Sequence, residues 1–267
     1  MQTALTWPLP LPLASSQGEG SLGACRMTGL SSPRSMNQDK RSRGYMKQIF
    51  PSIYLLPAEY SIGFSYVVVR PEGNLLIPNG LQATELSALI SILDSLGGVS
   101  LVLACCKHNV KAVSVSADIC RHYGVPLVIS VPDSRGNTIS PGEHVHPVPF
   151  KAAAIEPDIE LIPLPGYTAG SLGFLWKHED KRYLFTGVTL TNTDGAWKVW
   201  TVAGRAVKCI DGFESLRSLD FDVILLNSFA NTEPAWYQWT CQEKSTVFDE
   251  AIAQVQQLGK KRPIDRV

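Results

Sequence analysis

The residues best equipped for chemistry in this 267-residue chain are a thiol and an imidazole two positions apart, Cys106 and His108, in the run Leu103-Ala-Cys-Cys-Lys-His-Asn-Val110. Both are zinc-ligand types, but zinc generally takes three or four such groups. The pair also has the types of a nucleophile and its base. That use needs a third group to orient the base, and no carboxylate is evident for it. The remaining histidines add little. His144-Val-His146 alternates, yet Pro-Gly-Glu before it and Pro-Val-Pro after it read as a surface turn and an edge strand. His122 follows Arg121 near a helix end, where it caps carbonyls or faces water, and His178 sits in a polar turn. The six cysteines form no CxxC pair and no disulfide ladder, which reads as a reducing compartment. Cys105 and Cys106 read as buried thiols at a strand end.

The elements that must position these groups are legible from about Met46 onward. Residues 49–56 read as a first strand. The run Phe64-Ser-Tyr-Val-Val-Val-Arg70, the turn Pro71-Glu-Gly-Asn74 and Leu75-Leu-Ile77 read as a hairpin. Leu86, Leu89, Ile90, Leu93 and Leu96 share one helical face, and Gly97-Gly98 stops that helix. A buried strand over 99–103, a helix over 110–123 ending at Gly124, and another buried strand over 126–131 follow. Further strands fall at 160–164, 171–176, 182–185 and 221–226, and a last helix at about 245–258. Trp197, Trp200, Trp236 and Trp239 cluster late in the chain, with Trp236 and Trp239 spaced for a helix face. They serve either core packing or an exposed aromatic patch for a partner or small ligand. Strands interleaved with helices imply a layered α/β domain.

Composition narrows the classes. Lys+Arg and Asp+Glu both total 24, so a neutral chain offers no general attraction to nucleic acid or an acidic membrane surface. No apolar run is long enough to span a bilayer. Residues 1–45 are rich in Ser, Gly, Pro and Arg, show no period, and cannot bury enough apolar surface to fold alone. All four methionines lie at positions 1, 27, 36 and 46. The segment is therefore expected to be a disordered leader arising from an upstream start, with translation beginning at Met46, or a Ser/Arg-rich, acid-poor targeting peptide. The domain proper is expected at 46–267, in the cytoplasm, or in an organelle if 1–45 is a transit peptide.

Four stretches of this domain resemble the metallo-β-lactamase-fold hydrolases. The hairpin over 64–77 is similar to their opening hairpin, which they usually close with Asp-Ser or Asp-Thr-Gly; here the Asp position holds Pro78. After the first helix they place a strand and Thr-His-x-His-x-Asp-His, a spacing that aims imidazoles at one point and adds a second zinc beside it. Anchored on Val110, those ligand positions fall on Ala104, Cys106, His108 and Asn109. Pro165-Gly-Tyr-Thr-Ala-Gly-Ser171 is similar to Pro-Gly-His-Thr-x-Gly-Ser, with Tyr167 at the ligand histidine. Leu184-Phe-Thr-Gly-Val-Thr-Leu190 is similar to a run whose Asp bridges two metals, here Val188. The strand over 221–228 resembles the one that delivers a last histidine, here Ser228 or Phe229.

The resemblance implies a four-layer αββα sandwich of two mixed sheets flanked by helices. It also implies a zinc enzyme whose ligands this sequence lacks, while Gly166, Thr168, Gly170, Thr186, Gly187 and Leu190 keep the framing turns. The expected relict pocket is Pro78, Ala104, Cys106, His108, Asn109, Tyr167, Val188 and Ser228, with hydrogen bonds from Tyr167 and Asn109 replacing metal bonds. No cofactor is expected; any metal would have to use Cys106 and His108. The reading is a non-catalytic binding or structural protein with an unknown protein or small-molecule partner. The alternatives are a thioesterase- or esterase-like hydrolase with an altered or metal-free site, and a small-molecule binder using the relict pocket.

Overall fold

The computed structural model describes residues 46–82, 86–110, 115–135 and 144–260. The expected leader, 1–45, lies outside them. The described chain runs β1 (Lys47–Phe50), β2 (Ile53–Leu55), β3 (Tyr66–Val68), β4 (Leu75–Ile77), α1 (Leu86–Asp94), β5 (Leu101–Leu103), α2 (Ser116–Tyr123), β6 (Leu127–Ser130), a one-turn α3 (Val131–Ser134) and β7 (Val145–Val148). It continues through β8 (Ala153–Glu156), β9 (Ile159–Pro163), β10 (Leu172–His178), β11 (Lys181–Phe185), β12 (Leu190–Thr193), β13 (Ala196–Val199), α4 (Ala206–Ser218), β14 (Val223–Leu225), β15 (Trp236–Tyr237) and α5 (Cys241–Lys260).

Two mixed sheets carry the fold. In the first, β1 to β7 lie in sequence order, antiparallel as far as β4 and parallel from β4 to β7. The second has the order β15-β14-β11-β10-β9-β8, parallel only at β11–β14. The strands of the first sheet alternate between two apolar layers, as a two-residue side-chain period requires. Tyr66, Val68, Leu75, Ile77, Leu101 and Leu103 point into the core shared with the second sheet. Val67, Leu76 and Val102 face Leu89, Ile90 and Leu93 of α1 and Ile119 of α2. Phe213 of α4 and Phe248 of α5 join the shared core from the second sheet's side, 6.2 Å apart. Layered sheets with helices outside them are the expected αββα sandwich.

Two ties fasten sheet to sheet. The Tyr66 hydroxyl donates to the Leu226 carbonyl at 2.7 Å, and its ring meets Phe185 edge-on at 5.4 Å. Arg70, whose side chain is 1% exposed, pairs with Glu156 and with Asp158 at 2.7 Å, and Asp158 also accepts the Trp176 indole N–H.

Several expectations need correction. Residues 49–56 are not one strand: the chain turns at Pro51-Ser52, and Lys47 pairs with Leu55 across a hairpin. Trp236 and Tyr237 form a strand beside Leu225 and Ile224, not a helix face, because the open edge of β14 supplies hydrogen bonds that local spacing cannot announce. Trp197, Trp236 and Trp239 pack on the core, while Trp200 is 37% exposed. Helix α4 carries no strong apolar period because its buried stripe uses small residues, Ala206, Cys209 and Gly212, beside Phe213 and Leu216. That smallness has a use: a Cβ on Gly212 would sit 3.4 Å from the Pro165 ring, so the helix lies directly against the loop over 165–171.

Candidate functional site

Every sequence-predicted position lies just past a strand's carboxyl end or in the loop over 165–171, since β4, β5 and β6 run parallel, as do β11 and β14. Pro78 and Asn79 leave β4, Ala104 to Asn109 leave β5, Val188 follows β11, and Ser228 and Phe229 follow β14. The loop that carries Tyr167 joins β9 to β10. Loops at the carboxyl ends of parallel strands converge, which makes this the place in such a fold where a ligand cleft forms.

A cleft of about 350 Å³ is found there, lined by Ile62, Asn79, Gly80, Leu81, Gln82, Cys106, His108, Tyr167, Val188 and Phe229. Four of the predicted positions therefore share one wall system: Cys106, His108, Tyr167 and Val188. Pro78, Ala104, Asn109 and Ser228 are buried but do not line the cleft, and Phe229 takes the lining place instead of Ser228.

The loop after β5 is closed by Asn109. Its Oδ1 accepts from the Cys106 backbone N–H at 3.0 Å and faces the thiol at 3.5 Å, and its Nδ2 donates to Asn79 Oδ1 at 3.5 Å. So Asn109 does hydrogen-bond across the pocket. Tyr167 is held there by ring contacts, to His108 at 4.9 Å and Phe229 at 5.9 Å. Beyond Phe229 the aromatic series continues to Trp200 at 5.0 Å. The Asn79 Nδ2 is buried with no hydrogen-bond partner among the described residues.

Sequence reasoning missed Asp133, which is 2% exposed. One carboxylate oxygen accepts from the Lys107 backbone N–H and the Thr168 hydroxyl; the other accepts from the Gly170 N–H at 3.0 Å. It thus bolts the Tyr167 loop to the Cys106 loop. Ser130 adds a hydrogen bond to the Gly170 carbonyl at 2.6 Å, and any side chain on residue 170 would collide with that serine. The available signal was Pro132-Asp133 directly after a buried strand at this end of the sheet. A carboxylate is therefore present beside the Cys106 loop, with its hydrogen bonds going to the Lys107 N–H, the Thr168 hydroxyl and the Gly170 N–H.

Cys106 and His108 stand 3.9 Å apart, Sγ to Nδ1. Burial pushes the Cys106 thiol up to about 12, with the Asp133 carboxylate adding to the rise and the backbone around His108 and Asn109 opposing it. At neutral pH it is a thiol and not a ready nucleophile. Among the described residues no three His, Cys, Asp or Glu side chains come together as a metal site. Two donors, Cys106 and His108, do not fit a zinc ion that takes three or four.

Cys105, Cys106, Cys120 and Cys209 are free and buried, whereas Cys241 is disulfide-bonded. Burial raises all four free thiols, Cys120 to about 12 and Cys209 to about 11. From about pH 9 the unfolded chain then loses thiol protons that the folded chain keeps, so stability is full below pH 9 and falls as pH rises toward 11–12. Denaturation midpoints should drop steeply over that window. Replacing Cys120 and Cys209 with alanine should flatten the drop, and an equal slope in that variant would assign the effect to other groups.

Among solved structures, the chain matches a B3 metallo-β-lactamase with an active-site glutamic acid at TM-score 0.57 and 15% identity, over 82% of this chain and 92% of that one. It matches a metallo-β-lactamase from Staphylococcus aureus at 0.58 and 17%, over 83% and 68%. It also matches one from Elizabethkingia meningoseptica at 0.56 and 15%, over 89% and 100%. No protein-family model and no curated protein sequence matches the chain. This chain has the metallo-β-lactamase fold. At such identities the likeness establishes the fold and nothing finer.

Proposed function

We propose that this is a non-catalytic metallo-β-lactamase-fold protein, a domain over 46–267 that binds a small molecule or a protein partner at a relict metal pocket. The donor set carries the reading. The positions that the resemblance assigns to zinc ligands hold Ala104, Cys106, His108, Asn109, Tyr167 and Val188, with Ser228 or Phe229 at the last histidine and Pro78 at the Asp that closes the opening hairpin. Removing zinc from an intact ligand cluster would strand buried polar groups at about 1–3 kcal/mol each. Alanine, valine and proline avoid that cost, and Asn109 spends its amide on Cys106 and Asn79. No helix among the described residues is long and apolar enough to cross a membrane. The neutral charge supports a partner other than nucleic acid. Four buried free thiols support a cytoplasmic setting, and the Cys241 disulfide counts against it.

The test is metal content by plasma mass spectrometry on tag-free protein purified without chelators and then offered zinc. The expected result is less than about a tenth of an equivalent, since the cleft supplies two donors where zinc takes three or four. Stoichiometric zinc that disappears on changing Cys106 and His108 to alanine would overturn the reading. Assays on simple esters and thioesters would then test the hydrolase alternative, which the 3.9 Å approach of that thiol and imidazole favours.

A further inference from the structure

The cleft is uncharged and aromatic on one side. None of its ten lining residues is Asp, Glu, Lys or Arg. Its two weak acids are held neutral at physiological pH: the Cys106 thiol by burial, and the Tyr167 phenol, raised by burial and then by Cys106. An ion entering this site would give up hydration and meet no Asp, Glu, Lys or Arg in the lining. Two cationic residues stand beside the cleft without lining it: Arg205, which donates to the Tyr167 carbonyl at 3.5 Å, and Lys107, whose charge opposes the rise of the Cys106 thiol.

The apolar surface of the protein is concentrated at the same place. Among the described residues five large hydrophobic side chains are exposed: Ile62, Trp200, Val202, Val207 and Phe229. Ile62, at 56%, and Phe229, at 37%, line the cleft, and Trp200 packs on Phe229. The rings of His108, Tyr167, Phe229 and Trp200 follow one another with tilts of 57°, 54° and 44°. Such tilted pairs are not stacked face to face, so a flat guest can still find ring faces and edges to pack on. A volume of about 350 Å³ is at the small end of ligand pockets. It holds the equivalent of about ten waters, which suits a molecule of two fused rings. Leu81 and Val188 complete an apolar floor, and Asn79, Gln82 and His108 supply the few polar groups that orient a guest.

We infer that this cleft takes a small, uncharged, planar aromatic molecule that lies against Tyr167 and Phe229. This deepens, and rests on, the reading of the cleft as a binding site. Covering Ile62 and Phe229 removes apolar surface from water, and ring packing adds an aromatic preference over a saturated guest of equal size.

The test compares three probes on the full chain at pH 7 by isothermal titration calorimetry and thermal shift. These are 2-naphthol, its charged counterpart 2-naphthoate, and the saturated alcohol decahydro-2-naphthol. Saturable one-to-one binding of 2-naphthol is expected, at least about tenfold tighter than either of the others. Phe229→Ala and Ile62→Gln, both at exposed positions, should each weaken it several-fold. Val207→Ala, exposed but outside the lining, should leave it unchanged. Naphthoate binding as tightly as naphthol would overturn the uncharged character, and equal binding of the saturated alcohol would overturn the aromatic one. No binding of any probe, or binding indifferent to Phe229, would overturn the assignment of the cleft. Each of these failures leaves the metal measurement below a tenth of an equivalent, whereas failure of the non-catalytic reading shows as bound zinc, so the two are separable.

Discussion

Asp133→Ala should destabilise the protein by about 3–5 kcal/mol. The carboxylate is buried and accepts from three donors on two loops: the Lys107 N–H, the Thr168 hydroxyl and the Gly170 N–H. Alanine removes three charge-assisted bonds, each worth about 1.5–3 kcal/mol, and leaves two backbone N–H groups and a hydroxyl short of an acceptor. The Thr168 hydroxyl keeps its 2.7 Å contact with Ser171, which softens its share of the loss. For a domain of this size the change corresponds to a fall in melting temperature of about 10 °C. Asp133→Asn should fall between wild type and alanine, because an amide offers one acceptor oxygen and turns a donor toward another donor. Urea denaturation would measure both. A loss below about 1 kcal/mol for alanine would mean that apolar packing, not Asp133, holds the Tyr167 loop to the Cys106 loop.

The second large effect is expected at Gly187, and a glycine elsewhere serves as its control. Gly187 has φ +62°, and a Cβ there would lie 2.5 Å from the Leu172 carbonyl oxygen and 3.3 Å from the Cys105 Cβ. Leu172 cannot retreat freely, since its N–H donates to the Cys105 carbonyl at 2.8 Å and it opens β10. Gly187→Ala therefore adds a clash with fixed backbone, about 1–3 kcal/mol, to the left-handed backbone penalty of about 1–2 kcal/mol. Gly195 has φ +83°, and a Cβ added there would meet nothing within 4 Å, so Gly195→Ala should incur the backbone penalty alone. The two variants, compared in denaturant, isolate the clash. Equal losses would show that the turn after β11 yields to a side chain, and that Gly187 is required only for its backbone angle.

The framing turns were legible because their requirements are local. Gly187 needs a positive φ, and the loop over 165–171 needs small residues where it meets Ser130 and α4, so these residues stand in the sequence as a pattern. The same holds for strands β3 to β6 and helix α1, whose two-residue and 3.6-residue periods reflect layers above and below one sheet. The layered sandwich followed from those patterns and from the resemblance they carry. The missed elements depend on partners far away in the chain. Trp236-Tyr237 is a strand because β14 offers an open edge, and α4 is a helix whose small residues matter only against the 165–171 loop.

Tertiary structure alone decided which site residues meet. Strand direction fixes where a loop emerges but not how deep each side chain sits. Cys106, His108, Tyr167 and Val188 reach the cleft, while Ala104, Asn109, Pro78 and Ser228 stay buried away from its lining. Asp133 joins loops separated by 26 and 35 residues, and no spacing rule reaches that far. Ile62, Phe229 and Trp200 come together from three distant segments. By itself the sequence determined the fold, because backbone angles and side-chain periods are written locally. The shape, neutrality and aromatic wall of the cleft arise only where those distant loops converge.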